Sequence, residues 1–268
     1  VQRVRRLLAR RSVRRADGAF VAEGAKLLEV ALQLGAEVEA VYLAPEAGPD
    51  AVAVAERAGA RGVRVFDLAP GVLGRVADTA TPQPVLSVVR MPVPPPDVLV
   101  GAGFVVVCAD VRDPGNAGTV IRTAAAAGAD VVVCAGTTVD PYNPKTVRAS
   151  AGSVLRIPIV VDVEVRSVLQ GLGAGGVRRL GAMAEGGRGY DEVDWRAPCA
   201  VVLGNEAAGL GPEVGDLIDE QITIPMARQV DSLSVSTAAA VLCFAAARQR
   251  SNLQPMTAPA GHRTTPQP

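Results

Sequence analysis

Six apolar runs in the second half of this 268-residue chain decide what it can fold into. They lie at residues 104–109, 131–134, 157–161, 180–184, 200–203 and 221–224. None shows the in/out alternation of a strand with one wet face, so each reads as a strand covered on both sides. Such strands belong to a mainly parallel sheet with helices on its two faces. Helix-like stretches separate them, at about 115–127, 144–151, 163–170, 212–217 and 235–250. Only 3% of residues are aromatic, so the core has to be built from Val, Leu, Ile and Ala.

The first ninety residues repeat the alternation in a weaker form. Helices are expected over 3–14, over 24–34 with Gly35 as the stop, from a cap at Asp50 through 58, and over 71–77. Strands are expected at 20–23, 38–43, 63–66 and 85–90. Pro94, Pro95 and Pro96 exclude a regular element and favour extended geometry, which makes a semi-rigid linker. The chain therefore divides into an α/β domain at 1–92, a linker at 93–101 and a larger α/β domain at 102–250. Residues 251–268 are polar and proline-rich and are expected to be disordered.

Composition removes several function classes. No apolar run reaches the ~18 residues that span a bilayer. The Arg-rich start lacks a following apolar stretch, so it does not read as a secretory signal. A cytoplasmic protein is expected. The only histidine is His262, in the tail, which removes Ser-His-Asp triads, Cys-His pairs and histidine metal sites. Cys108, Cys134, Cys199 and Cys243 stand singly in apolar surroundings and read as buried thiols, with neither zinc spacing nor a disulfide framework. Gly171–Gly176 matches GxGxxG, but a helix-like stretch precedes it and a strand-like one follows. The dinucleotide fingerprint needs the reverse order, so this segment reads as a flexible connection.

The first fifteen residues hold seven arginines, Arg3, Arg5, Arg6, Arg10, Arg11, Arg14 and Arg15. Such a cluster suits contacts with RNA phosphates. Val1, Val4, Leu7 and Leu8 would supply the apolar stripe of the same helix, and a merely solvated basic face fits the pattern too.

Three segments place glycine, proline or small polar residues between an apolar run and a helix-like stretch, where open α/β sheets keep their binding crevice. In Asp110–Arg122, Pro114, Gly115 and Gly118 suggest close backbone approach to a ligand, and the new helix offers its positive end to phosphate. Asn116 can lock this loop or touch RNA. Arg122 follows on an alanine-rich helix with no evident packing duty, a surface ion pair being the plain alternative. In Leu203–Gly209, Glu206 sits at the crevice mouth, to bind substrate, orient the arginine or cap a turn. In Ile224–Ser236, Ser232, Ser234 and Ser236 precede a helix, and at least one of them caps it.

Taken in order, the three segments resemble the motifs of the SpoU/TrmH family of RNA ribose 2′-O-methyltransferases. The resemblance covers about 150 residues. It implies S-adenosylmethionine as cofactor, a deep trefoil knot in the C-terminal domain and a homodimer formed through that domain. It implies catalytic roles for Arg122, Asn116, Glu206, Ser232 and Ser234, with the arginine reaching the partner's site as the base or as an electrostatic clamp on the phosphate and the developing alkoxide. Cofactor contacts carry over to Gly204, Ile224 and Leu233, with Leu203, Asn205, Pro225 and Met226 beside them. The family pattern has asparagine where this chain has Ser234, and a hydroxyl is shorter and donates only once. The N-terminal region resembles, more loosely, the small ribosomal-protein-like domain that grips RNA, through residues 20–24 and 81–89. Ribosomal RNA is the expected substrate and no metal is implied. A transfer-RNA methyltransferase, a related knotted enzyme that methylates a base, and a non-catalytic dimeric RNA-binding protein remain alternatives.

Overall fold

The computed structural model describes residues 1–76, 81–227 and 232–250. The tail expected to be disordered, and His262 with it, lies outside them. No helix among the described residues is long and apolar enough to cross a membrane.

The N-terminal lobe runs α1 (Gln2–Ala9), α2 (Arg11–Asp17), β1 (Ala19–Glu23), α3 (Ala25–Gln33), β2 (Val38–Leu43), α4 (Pro49–Ala60), β3 (Arg64–Asp67), α5 (Val72–Val76) and β4 (Val85–Arg90). The strands form one sheet ordered β1-β4-β2-β3, with β4 antiparallel to both neighbours and β3 parallel to β2. Two expectations need correction. The helix over 3–14 is broken at Arg10, which is extended at φ −129° and ψ 117°. The break frees carbonyls at the end of α1, and Arg14 Nη1 donates to two of them, Leu7 O at 2.7 Å and Leu8 O at 3.2 Å. Asp50 does not cap α4. Gly48 holds the cap position, Pro49 opens the helix, and Asp50 lies in the first turn, where its charge suits the helix dipole.

The second lobe runs β5 (Phe104–Ala109), α6 (Pro114–Ala126), β6 (Val131–Ala135), α7 (Pro144–Ala149), β7 (Ile159–Val163), α8 (Val165–Ala174), β8 (Arg178–Met183), β9 (Arg188–Gly189), β10 (Cys199–Leu203), α9 (Pro212–Gly215), β11 (Glu220–Thr223) and α10 (Val235–Arg250). Its seven-stranded sheet is ordered β7-β6-β5-β10-β8-β11-β9, and every neighbouring pair is parallel. The continuous apolar runs had implied this, since β5, β6 and β10 are buried along their whole length.

Three details differ from the sequence reading. β7 starts at Ile159 and not at 157, because Pro158 has no N–H for the ladder. It reaches Val163, a residue the sequence pattern gives to the next helix. Gly171 and Gly173 lie inside α8 and not in a loop. Val168, Leu169 and Leu172 are buried on the core side of α8, and that packing outweighs the roughly 1 kcal/mol that each glycine costs a helix. The two-residue β9 carries no pattern that a sequence could display.

Residues 91–95 have no regular structure, yet the lobes they join are packed on each other. Phe20 of β1 lies 5.2 Å from Tyr142, ring centre to ring centre, in a hydrophobic cluster that includes residues of both sheets. Ion pairs join the same surfaces. Arg14 is buried against Asp140 at 2.7 Å, Arg11 and Arg15 both bind Asp162, and Arg148 binds Glu23 at 3.0 Å. Asp162 sits on β7 at φ 61°, where the register to β6 shifts. All four cysteines are buried and free.

Candidate active site

The site forms where β10, the most central of the motif-bearing strands, runs out. Its apolar residues are followed by Gly204, where a Cβ would lie 2.3 Å from the backbone carbon of Gly209. Only glycine lets the chain fold back so tightly. Asn205 and Gly209 exchange backbone hydrogen bonds at 2.9 Å, and Asn205 Oδ1 accepts from the N–H of Ala207 and Ala208. The Asn205 Nδ2 donates to Asp110 O at 3.1 Å, which ties the second segment to the first.

α6 begins at Pro114, with Asp113 as its cap: Asn116 N donates to Asp113 Oδ1 at 2.7 Å. Glu206 reaches the same helix end from the second segment. It accepts from Asp113 N at 3.3 Å, Arg112 N at 3.5 Å and Asn116 Nδ2 at 3.2 Å. The phosphate site expected at this N-terminus is thus taken by the protein's own carboxylates, which satisfy the positive helix end themselves. Beside it Arg112 grips Asp110 with two hydrogen bonds, at 3.0 and 2.9 Å, and this carboxylate holds the guanidinium pKa above its usual value.

The third segment joins through Ser236, whose Oγ donates to Asn116 Oδ1 at 2.8 Å. Neither Ser232 nor Ser234 makes that contact. Ser234 instead starts α10, accepting from Thr237 N at 3.2 Å. Ser232 lines a pocket of about 330 Å³ that opens between the second and third segments.

Six of the seven residues expected to hold a cofactor line this pocket: Leu203, Gly204, Asn205, Ile224, Met226 and Leu233. Pro225 does not; it is exposed between two lining neighbours, where an extended segment must alternate. Met183 and Ala184, at the end of β8, and Ala238 and Leu242, on α10, complete the wall. Sequence reasoning missed them because nothing local shows that β8 pairs with β10.

Other expectations are redistributed. Gly118 serves helix packing and not a ligand: its Cβ would lie 2.5 Å from Ala149 Cβ and from Thr146 O of α7. Arg122 is exposed on α6 and absent from the pocket wall of its own chain, so Asn116 and Glu206 bond to each other and not to it. Of the seven N-terminal arginines, Arg14 is buried and cannot meet an external ligand, while Arg3 is held by Asp17 and Glu39. Arg11 and Arg15 serve Asp162. Arg5, Arg6 and Arg10 remain exposed. Among the described residues no cluster of three His, Cys, Asp or Glu side chains could hold a metal ion.

Residues 103–244 match the model of the SpoU rRNA Methylase family, and residues 1–87 match an MRM3-like substrate binding domain. The chain is 34% identical to the 23S rRNA (guanosine(2553)-2′-O)-methyltransferase RlmP of Bacillus subtilis, over 84% of this chain and 87% of that protein. It is 31% identical to the 23S rRNA (uridine(2479)-2′-O)-methyltransferase of Streptomyces viridochromogenes, over 94% of this chain and 91% of that one. The solved structure of the SpoU methyltransferase AviRb from Streptomyces viridochromogenes, in complex with AdoMet, superposes with a TM-score of 0.82 at 30% identity, covering 94% of this chain and 98% of that chain.

Proposed function

Since this chain belongs to the SpoU rRNA methylase family, we propose that it transfers a methyl group from S-adenosylmethionine to a ribose 2′-hydroxyl of RNA, most naturally ribosomal RNA. The observation that carries this reading is convergence. The second and third segments line one pocket, and the first is tied to its mouth by a hydrogen-bonded chain from Ser236 through Asn116 to Glu206.

The pocket fits the cofactor's chemistry. Leu203, Ile222, Ala238 and Leu242 give a flat apolar wall suited to an adenine ring, and the tight Gly204–Gly209 turn brings backbone groups to its rim. When bound, the sulfonium supplies an activated methyl with a neutral thioether as leaving group. The protein's part is then to align an in-line attack and to handle the hydroxyl proton and the developing charge. Arg122 brings a guanidinium, a planar fork of donors with no acceptor. In this reading it clamps the phosphate beside the target ribose and stabilises the alkoxide forming at the 2′-oxygen. Because it stands outside the pocket of its own chain, it serves the pocket of a second copy. Exposed Phe244 on α10, which packs against α6, supports a dimer contact on this side. The likeness to a SpoU fold supports the deep trefoil knot expected of residues 102–250. Residues 1–92 form the RNA-gripping part, with Arg5, Arg6 and Arg10 as its phosphate contacts. Ribosomal RNA as substrate supports a cytoplasmic protein.

The test is to map 2′-O-methylated riboses in RNA from cells with and without the gene, and to repeat the reaction with purified protein and labelled cofactor. One ribose position that loses its methyl in the deletion and regains it in vitro is the expected result. A methylated base in the nuclease digest, or no calorimetric affinity for S-adenosylmethionine, would overturn the reading.

One substitution tests the pocket directly. A methyl group at Gly204 collides with the Gly209 backbone, and relieving that costs on the order of 1–3 kcal/mol of overpacking. Gly204→Ala is therefore expected to weaken S-adenosylmethionine binding by about 5- to 150-fold, the affinity equivalent of that cost when the rim has to move. An unchanged calorimetric Kd would show that this turn does not shape the cofactor site.

A further inference from the structure

We propose that Ser236 is a positioning residue: its hydroxyl sets which way the Asn116 carboxamide faces, and through it where the Glu206 carboxylate sits. The consequence for rate rests on the methyl-transfer reading above; the geometry does not.

A carboxamide has a donor end and an acceptor end of nearly equal size, and rotation by half a turn exchanges them. Asn116 cannot choose between them by its backbone, which is already held by Asp113 Oδ1. Its two side-chain neighbours decide. Glu206 is a pure acceptor when ionised and calls for the Nδ2 end, at 3.2 Å. Ser236 Oγ presents a hydrogen to the other end, Oδ1, at 2.8 Å. Turned round, the amide oxygen would face a carboxylate, and a bond to an ionised partner would become a repulsion. Ser236 is the group that rewards the correct orientation from the far side.

The neighbours of Ser236 suit it to this work. Ser234 lies where the family pattern carries asparagine, yet it is occupied as the start of α10. It accepts from Thr237 N and stands 2.8 Å from Thr237 Oγ1. Its Oγ is also 3.1 Å from Ser236 Oγ. When Ser234 donates across that gap, the Ser236 hydrogen is directed at Asn116. One face of α10 is thus wired, through two hydroxyls and one amide, to a carboxylate at the mouth of the pocket. Glu206 Oε1 is taken by Asn116 Nδ2 and Asp113 N, whereas among the described residues Oε2 has only the longer contact from Arg112 N. Oε2 is the oxygen left to meet an incoming hydroxyl.

The test reads orientation and rate separately. In ¹⁵N-labelled protein the Asn116 side-chain amide pair is identified by its loss in Asn116→Ala. In Ser236→Ala that pair is expected to move toward free-amide positions and to exchange with water at least about tenfold faster, as expected for a lost hydrogen-bond partner. Ser236→Thr restores the wild-type pair, and Ser236→Cys, a weaker donor of similar size, falls between. Kinetically, Ser236→Ala lowers kcat by about 10- to 100-fold, the cost of a misplaced reacting geometry. RNA KM and cofactor affinity stay within about twofold, because no binding contact is removed. On the Asn116→Ala background the serine substitution adds nothing further, as required of residues acting through one another. An unmoved amide pair in Ser236→Ala, or losses that add on the Asn116→Ala background, would overturn the proposal. If the amide responds as described while wild-type protein methylates no RNA, the functional reading fails and the positioning role stands.

Discussion

Arg122→Ala is expected to lower kcat for methyl transfer by about 100- to 1,000-fold, the range seen when one preorganised charge stabiliser is removed. Cofactor affinity should be untouched, because in this reading Arg122 meets the RNA phosphate and the 2′-oxygen and not the cofactor. Stability should be nearly unchanged, since exposed side chains outside a network contribute within about 0.5 kcal/mol. The stronger form of this experiment mixes chains. Arg122→Ala and Gly204→Ala are each impaired alone, for different reasons. In a mixed dimer one site combines an intact pocket with an arginine from the other chain. Random reassortment should then recover about a quarter of the wild-type rate, if each site draws its arginine across a two-fold axis. No recovery on mixing would mean that the arginine acts within its own chain or not at all. Full activity of Arg122→Ala at saturating RNA would remove it from the reaction.

The second large effect is on stability. Arg14→Ala should destabilise the fold by about 3–5 kcal/mol, the usual consequence of stranding one member of a buried ion pair. Arg14 is 3% exposed, and its guanidinium binds Asp140 through Nε and Nη2. It also closes the carbonyl end of α1 at Leu7 and Leu8. Asp140 is itself buried, so removing the arginine leaves a carboxylate without its countercharge between the two lobes. Arg14→Lys keeps the charge but not the fork of donors and should fall between wild type and alanine. Arg5→Ala is the control: it should leave the urea midpoint in place and weaken RNA binding, with a shallower salt dependence. A midpoint unchanged by Arg14→Ala would mean that the lobes do not depend on this contact.

How much of this was legible beforehand can be judged residue by residue. Gly204, Asn205 and Glu206 were readable because a fully apolar strand that stops at Gly-Asn-Glu leaves them nowhere to go but the sheet's carboxyl edge. Asn116 was readable for the same reason. Ser236 was visible as one of three serines, but which of them faces Asn116 depends on where α10 starts and how it is rotated. The helix took Ser234 for its first turn, and the residue two further on turned inward. Arg14 shows the opposite failure. Its charge and its company of six other arginines suggested a solvent-facing phosphate contact. Only the docking of α2 on the second lobe, far away in sequence, gave it a buried partner. Gly118 misled in the same way: close approach was correctly inferred, but the approaching group is α7 and not a ligand.

Short-range chemistry was enough to determine an alternating α/β chain, a parallel sheet in its second half, and a sheet edge where three named segments are joined by hydrogen bonds. Apolar continuity, proline, glycine and helix-capping residues act within a few positions of themselves, so they are written locally. Strand order, the pairing of β8 with β10, the fusion of two lobes across Arg14–Asp140 and Phe20–Tyr142, and the aim of Ser236 at Asn116 were left to the tertiary structure. Each joins residues that are distant along the chain, and burial creates their energy: a charge or a hydroxyl acquires its partner only once water has been excluded from around it.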